Sequence, residues 1–123
     1  MLQFDHVNVR TANLERMVAF YETVLGMTSG WRPAFPFPGA WMYLGEQAYV
    51  HLVAVDSDPG APKEAEKLRL EHFAFRGQDL EEFRQRVKDA GLDNEEARVP
   101  GTNLLQVNFF DPDGNHIHVD FTV

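Results

Sequence analysis

An α+β fold built from two similar halves is what the hydrophobic pattern of this chain predicts, and three observations carry it. Short stretches alternate apolar and polar residues with the period of a strand. Two other stretches switch to the 3.6-residue period of a helix. A set of residues also recurs after 66 or 67 positions, so the second half repeats the first.

The elements follow in order. Phe4-Asp5-His6-Val7-Asn8-Val9 alternates and reads as a strand. Leu14, Met17, Val18, Tyr21, Val24 and Leu25 share one face of a helix that Asn13 caps and Gly26 stops. A loop with Pro33, Pro36, Pro38 and Gly39 follows, interleaved with Trp31, Phe35, Phe37 and Trp41. Trp41–Leu44 and Tyr49–Val55 read as strands joined by a hairpin turn at Gly45-Glu46-Gln47. The stretch 57–67 reads as a linker, and then the pattern restarts. Leu70–Phe75 is a strand. Asp79 and Glu82 form a capping box before the stripe Leu80, Phe83, Val87 and Ala90, which Gly91 ends. Val107–Phe110 and His116–Phe121 are strands around the turn-forming string Asp111-Pro112-Asp113-Gly114-Asn115. The reading is one domain over 1–123, with repeats 1–56 and 68–123.

The 123 residues carry 19 acidic and 11 basic side chains, a formal net charge of −8. That balance opposes general nucleic-acid binding, which needs a basic surplus to displace counterions, and opposes docking on anionic membrane. Cysteine is absent, so disulfides, thiolate metal sites and cysteine nucleophiles are excluded. No apolar run reaches the ~20 residues of a membrane helix, and Met1–Arg10 lacks a signal-peptide core. The default expectation is a cytoplasmic protein. The acidic run Glu81, Glu82, Glu95 and Glu96 reads as solvated surface.

All five histidines, His6, His51, His72, His116 and His118, fall on expected strands. His6 and His72 are 66 apart, each in the strand that opens its half. His51 and His118 are 67 apart, each in the strand that closes its half. Arg10 and Arg76 follow the opening histidines by four residues. If the halves pair face to face, His6, His51, His72 and His118 point into one concavity. Neutral imidazole suits Zn, Ni, Cu and Fe, so these four are the candidate metal ligands. Taken singly, each reads rather as a half-buried strand residue bonded to a backbone carbonyl; it is the repeat of the four together that favours a shared metal site. His116 has no counterpart in the first half and reads as a rim residue. Asn8, Arg10, Tyr49, Arg76 and His116 are the candidate substrate contacts. The arginines suit a carboxylate or enolate, or alternatively a surface salt bridge. The aromatic group Trp31, Phe35, Phe37, Trp41 and Tyr43 reads as a pocket wall, as core, or as a dimer surface.

Four strings carry a family resemblance: Asp5–Val9, Phe20–Met27, Leu70–Phe75 and Phe110–His118. With them the chain resembles the vicinal oxygen chelate superfamily of glyoxalases, bleomycin-resistance proteins and extradiol dioxygenases. The resemblance implies two βαβββ modules forming a glyoxalase-like open barrel. It implies that His6 and His72 match the family's two histidine ligands. His118 stands where the family usually has glutamate, and His51 where glyoxalase-like members have glutamate or another ligand. Four neutral imidazoles would leave a divalent ion at formal charge +2, making it a stronger Lewis acid than two carboxylates would. Asp120, on the His118 face one strand repeat further on, reads as a partner of the ligands rather than as a ligand. The implied activity is that of a metal-dependent enzyme on a small substrate with vicinal oxygens, either isomerase- or lyase-like or a ring-cleaving dioxygenase. One divalent ion per site is expected, zinc or nickel first and iron next, in a homodimer. The alternative is a bleomycin-resistance-type protein that binds and sequesters without catalysis.

Overall fold

The computed structural model describes residue 1, residues 3–57 and residues 70–123. The chain divides into two compact units, 1–59 and 60–123. In the first unit the order is β1 (Val7–Thr11), α1 (Leu14–Thr23), β2 (Thr28–Gly30), β3 (Gly39–Leu44) and β4 (Gln47–Ala54). In the second it is β5 (His72–Arg76), α2 (Leu80–Asp89), β6 (Glu95–Arg98), β7 (Leu104–Phe110) and β8 (His116–Thr122). Each unit is therefore a βαβββ module. The linker read over 57–67 lies, beyond Ser57, outside the described residues.

The two sheets have the same plan. The first runs β1-β4-β3-β2 and the second β5-β8-β7-β6. In each, the opening strand pairs parallel with the closing one, Asn8 opposite His51 and Ala74 opposite His118. The other pairs are antiparallel. Strands that pair parallel need a long crossover, which each half supplies with its helix and the two strands that follow it.

Strand alternation sorts the faces. In β4, Ala48, Val50 and Leu52 are buried, and in β3 so are Ala40 and Met42. They form a core with Met17, Tyr21 and Val24, and α1 lies against β3 and β4. In the second module Leu105, Val107, Phe109, Ile117, Val119 and Phe121 are buried with Phe83 and Val87 of α2. Phe83 meets Phe109 and Phe121 at ring distances of 6.0 and 5.6 Å. The alternate residues, with all the strand histidines among them, lie on the face away from the helix.

The helix stops fall at Gly26 and Gly91 as expected. Asp79 caps α2 through the Glu82 N–H at 3.0 Å, but Glu82 does not complete a capping box. Its carboxylate pairs with Arg86 one turn on. At α1, Asn13 occupies the cap position without a side-chain cap bond; Thr11 Oγ1 accepts from the Asn13 N–H instead. β1 starts at Val7, so His6 precedes the strand rather than lying within it. The ladder begins where Val7 meets Val50, and the Asp5 carbonyl is held from the side by Gln47 Nε2 at 3.0 Å.

Candidate metal and substrate site

The turn before β8 positions the last two histidines. Asp111 is buried, and its Oδ1 accepts from the backbone N–H of Asp113 and of Asn115 at 3.0 and 2.9 Å. Its Oδ2 accepts from Asn115 Nδ2 at 2.8 Å. Gly114 closes the turn at φ +86°, a conformation that glycine adopts without a Cβ penalty. The string thus fixes where β8 begins and which of its side chains face away from the helix.

On that face three imidazoles gather. Ring centroids are 4.6 Å apart for His72 and His118, 5.2 Å for His72 and His116, and 6.0 Å for His116 and His118. The Glu71 carboxylate accepts from Nδ1–H of His72 and from His116 Nδ1, the latter at 3.1 Å. His116 Nε2 meets the Asn108 side-chain amide at 2.8 Å. His118, buried, donates from Nδ1 to Asp120 Oδ1 at 2.5 Å. Glu71, His72 and His116 offer one ligand atom each, all within 4.8 Å of one another, and form a candidate metal group. Imidazole nitrogen with carboxylate oxygen is a donor set that zinc, nickel and iron accept, so the residues present fit a divalent ion.

The first module holds its histidines differently. His6, half-exposed, donates from Nδ1 to Asp5 Oδ2 at 2.5 Å. His51 is buried and donates from Nε2 to the Ala48 carbonyl at 3.0 Å. Its ring lies flat between His6 and Trp41, 3.9 Å from each at interplanar angles of 8° and 12°. An ion sits in the plane of a ligating imidazole, and two parallel rings share no such plane. For His6 and His51 to meet one ion, one ring must turn out of the stack.

Charge follows geometry. The His6 hydrogen bond holds the Asp5 carboxyl below its usual range. The bonds from His72 and then His116 do the same for Glu71. Burial, and next the nearby His6, push the His51 pKa down.

Asn8 and Arg10 lie exposed on β1, and Tyr49 is half-buried on the His51 face of β4. Arg76 lies opposite Asp120 in the β5–β8 register. Neither Arg10 nor Arg76 has an ion-pair partner among the described residues. The aromatic group does assemble. Trp31 meets Trp41 edge-on at 5.9 Å, Phe35 stacks on Phe37 at 5.1 Å, and Tyr43 Oη donates to the Trp31 carbonyl at 2.5 Å. Arg32 sits 5.0 and 5.1 Å from the Phe35 and Phe37 rings. The acidic run is exposed but paired in part: Glu96 grips Arg84 with both oxygens at 2.8 and 2.7 Å, tying β6 to α2, and Glu81 adds a third contact.

Sequence reasoning singled out His72, His116 and His118, and the second module brings all three together. It did not single out Glu71, Asp5 or Asn108. The available signal was the recurrence of an acidic residue immediately before His6 and His72, again 66 positions apart.

Two βαβββ modules, one with an imidazole-rich face and a candidate metal group, define the class of protein. The family model for the Glyoxalase/Bleomycin resistance protein/Dioxygenase superfamily matches residues 3–119, and the chain belongs to that superfamily. Among solved structures it is similar to a glyoxalase family protein from Enterococcus faecalis, at 26% identity and TM-score 0.75 over 96% of each chain. It is also similar to a glyoxalase family protein from Bacillus anthracis, at 23% identity and TM-score 0.78 over 100% of this chain and 97% of that one. The fosfomycin resistance protein FosX from Listeria monocytogenes shares 14% identity at TM-score 0.75, over 100% and 95%. The last two likenesses are likenesses of fold. No curated protein matches the chain. Among the described residues no helix is long and apolar enough to cross a membrane.

Proposed function

We propose that this protein is a metal-dependent enzyme that acts on a small substrate with vicinal oxygens. The observation that carries the reading is the face shared by His72, His116 and His118, with Glu71 and Asp120 bonded to their Nδ1 atoms. Five polar side chains converge there on a sheet face where apolar packing would otherwise be expected. The ion is zinc or nickel first and iron next. In the second module its ligands are His72 and His118, and the repeat assigns His6 and His51 the equivalent positions in the first. When bound, the ion supplies Lewis-acid polarisation of substrate oxygens. The chain's own residues do the rest. Arg10 and Arg76, without ion-pair partners among the described residues, grip an anionic substrate group, and Asn8, Tyr49 and His116 offer hydrogen bonds to its oxygens. Isomerase- or lyase-like chemistry and ring cleavage both fall within this reading, and the assembly is a homodimer.

Elemental analysis of protein purified without chelator is the test, followed by a turnover screen of 2-oxoaldehyde–thiol adducts and catechols. Stoichiometric zinc, nickel or iron is expected. No metal as purified and no tight rebinding would sink the enzyme reading. A second reading, sequestration of an aromatic compound, rests on Trp31, Phe35 and Phe37, which are 72%, 42% and 41% exposed. It predicts quenching of tryptophan fluorescence by planar ligands in metal-free protein.

A further inference from the structure

Of the four histidines assigned as ligands, three share a feature that the fourth lacks. His6, His72 and His118 each direct Nδ1 at a carboxylate: Asp5, Glu71 and Asp120. A carboxylate only accepts, so the hydrogen of the neutral ring must sit on Nδ1. Nε2 is then left bare, with its lone pair in the ring plane. His51 is the opposite case. Its Nε2–H is spent on the Ala48 carbonyl, no carboxylate of the described residues touches it, and its ring is clamped in a stack.

The carboxylates reach the rings by two routes. Asp5 and Glu71 immediately precede their histidines, and both stand ahead of the strands, which start at Val7 and His72. Neighbours within a strand point to opposite faces; outside it, Asp5 and Glu71 are free to curl back onto the next ring. Asp120 lies two positions after His118 in β8, on the same face. Asp5 and Glu71 repeat at the offset of the histidines themselves.

We propose that Asp5, Glu71 and Asp120 are positioning residues that hold His6, His72 and His118 as Nδ1–H tautomers, so that each presents Nε2 as its ligand atom. This rests on the metal reading above. It also divides the work at Glu71: with its oxygens on the Nδ1 atoms of His72 and His116, Glu71 orients the ligand His72 and its neighbour His116 and is not a ligand itself. A carboxylate on the far nitrogen fixes the ring and raises the basicity of the near one, and loss of such a partner typically weakens metal binding about 10–100-fold.

The experiment reads tautomers directly, by long-range proton–nitrogen correlation of the imidazoles in metal-free, ¹⁵N-labelled protein at about pH 8, where imidazole is ordinarily neutral. Histidine in water favours the Nε2–H form. In the wild type, His6, His72 and His118 should show the Nδ1–H pattern and His51 the Nε2–H pattern. Asp120→Ala should return His118 alone to Nε2–H and weaken zinc binding about 10-fold or more, with an unchanged circular dichroism spectrum. Glu71→Ala should do the same for His72, and Asp5→Ala for His6. Asp120→Asn keeps an accepting oxygen, so it should keep the tautomer and recover most of the affinity. Asp120→Asn behaving like Asp120→Ala would overturn positioning, since charge alone would then be the cause. Nε2–H tautomers at these rings in a protein that does bind zinc would overturn the positioning proposal alone. Nδ1–H tautomers in a protein that takes up no zinc, nickel or iron would overturn the metal reading and, with it, the ligand role of Nε2.

Discussion

His116 and His118 lie two residues apart on one face, yet their surroundings assign them different work. His118 is buried, and Asp120 is its one hydrogen-bond partner among the described residues; His116 has both nitrogens engaged, by Glu71 and Asn108. If His118 is a ligand, His118→Ala removes a donor from the ion, and zinc affinity should fall at least 100-fold with the fold intact. His118→Glu should retain binding, because carboxylate oxygen also suits these ions, and the new carboxylate is a base close to the ion. His116→Ala should change affinity less than 10-fold. Isothermal titration of the three variants against the wild type decides it; loss of zinc with His116→Ala and retention with His118→Ala would redraw the ligand set around Glu71, His72 and His116. The residue scale is also where sequence reasoning reached least. Periodicity marks which face a histidine shares, but not which of its nitrogens is engaged. The His6–His51–Trp41 stack comes from ring rotamers that no spacing encodes.

The elements that were legible are those with a buried face. Both helices, the paired strands β3–β4 and β7–β8, and the turn between the last two strands follow from apolar periodicity and from glycine, proline and aspartate chemistry. β2 and β6 were not read from periodicity, and the reason is physical. All three residues of β2 and all four of β6 are exposed, so neither has an apolar face to alternate with a polar one. Each is an edge strand held by backbone pairing to one neighbour, and the charges Glu95, Glu96 and Arg98 suit an edge that must not recruit another chain. Only the duplicated family plan implied a third strand in each half. The turn from Asp111 to Asn115 carries a prediction at this scale. Asp111→Ala removes one carboxylate that accepts three hydrogen bonds and strands two backbone donors. Loss of a charged hydrogen bond costs roughly 1.5–3 kcal/mol, so a drop of about 2–3 kcal/mol is expected, read as a lower urea midpoint at unchanged slope. Because the same turn sets the start of β8, zinc affinity should fall with it.

Across the whole molecule, two behaviours depend on the burial of individual groups. The pKa of His51 is depressed by burial below the 6.5 of an exposed histidine. Between the two values the unfolded chain holds the extra proton, so stability rises with pH there. Metal-free protein should be fully stable above about pH 7 and lose stability as the pH falls below 6.5, whereas the lowered carboxyls, Asp5 and Glu71, act only in the more acid range near and below their ordinary 3.8 and 4.5. Thermal melts from pH 8 to pH 5 should therefore show a descent that His51→Phe flattens; an unchanged descent would assign it to another group. The second behaviour is assembly. Each four-stranded sheet leaves its opening strand, β1 or β5, at an edge. Phe4, Trp31 and Leu70 are 71%, 72% and 63% exposed, and Phe110 is 58% exposed beside His116. Exposed apolar side chains of this kind are candidate contact surface in each module. The homodimer proposed above is expected to have the segment from Trp31 to Trp41 near its interface or mouth. Sedimentation at micromolar concentration should give twice the 14.1 kDa chain mass, and Trp31→Asp should shift the protein to monomer while leaving the β-sheet signal in place. A wild-type monomer under those conditions would remove the dimer and leave the aromatic segment to a small ligand.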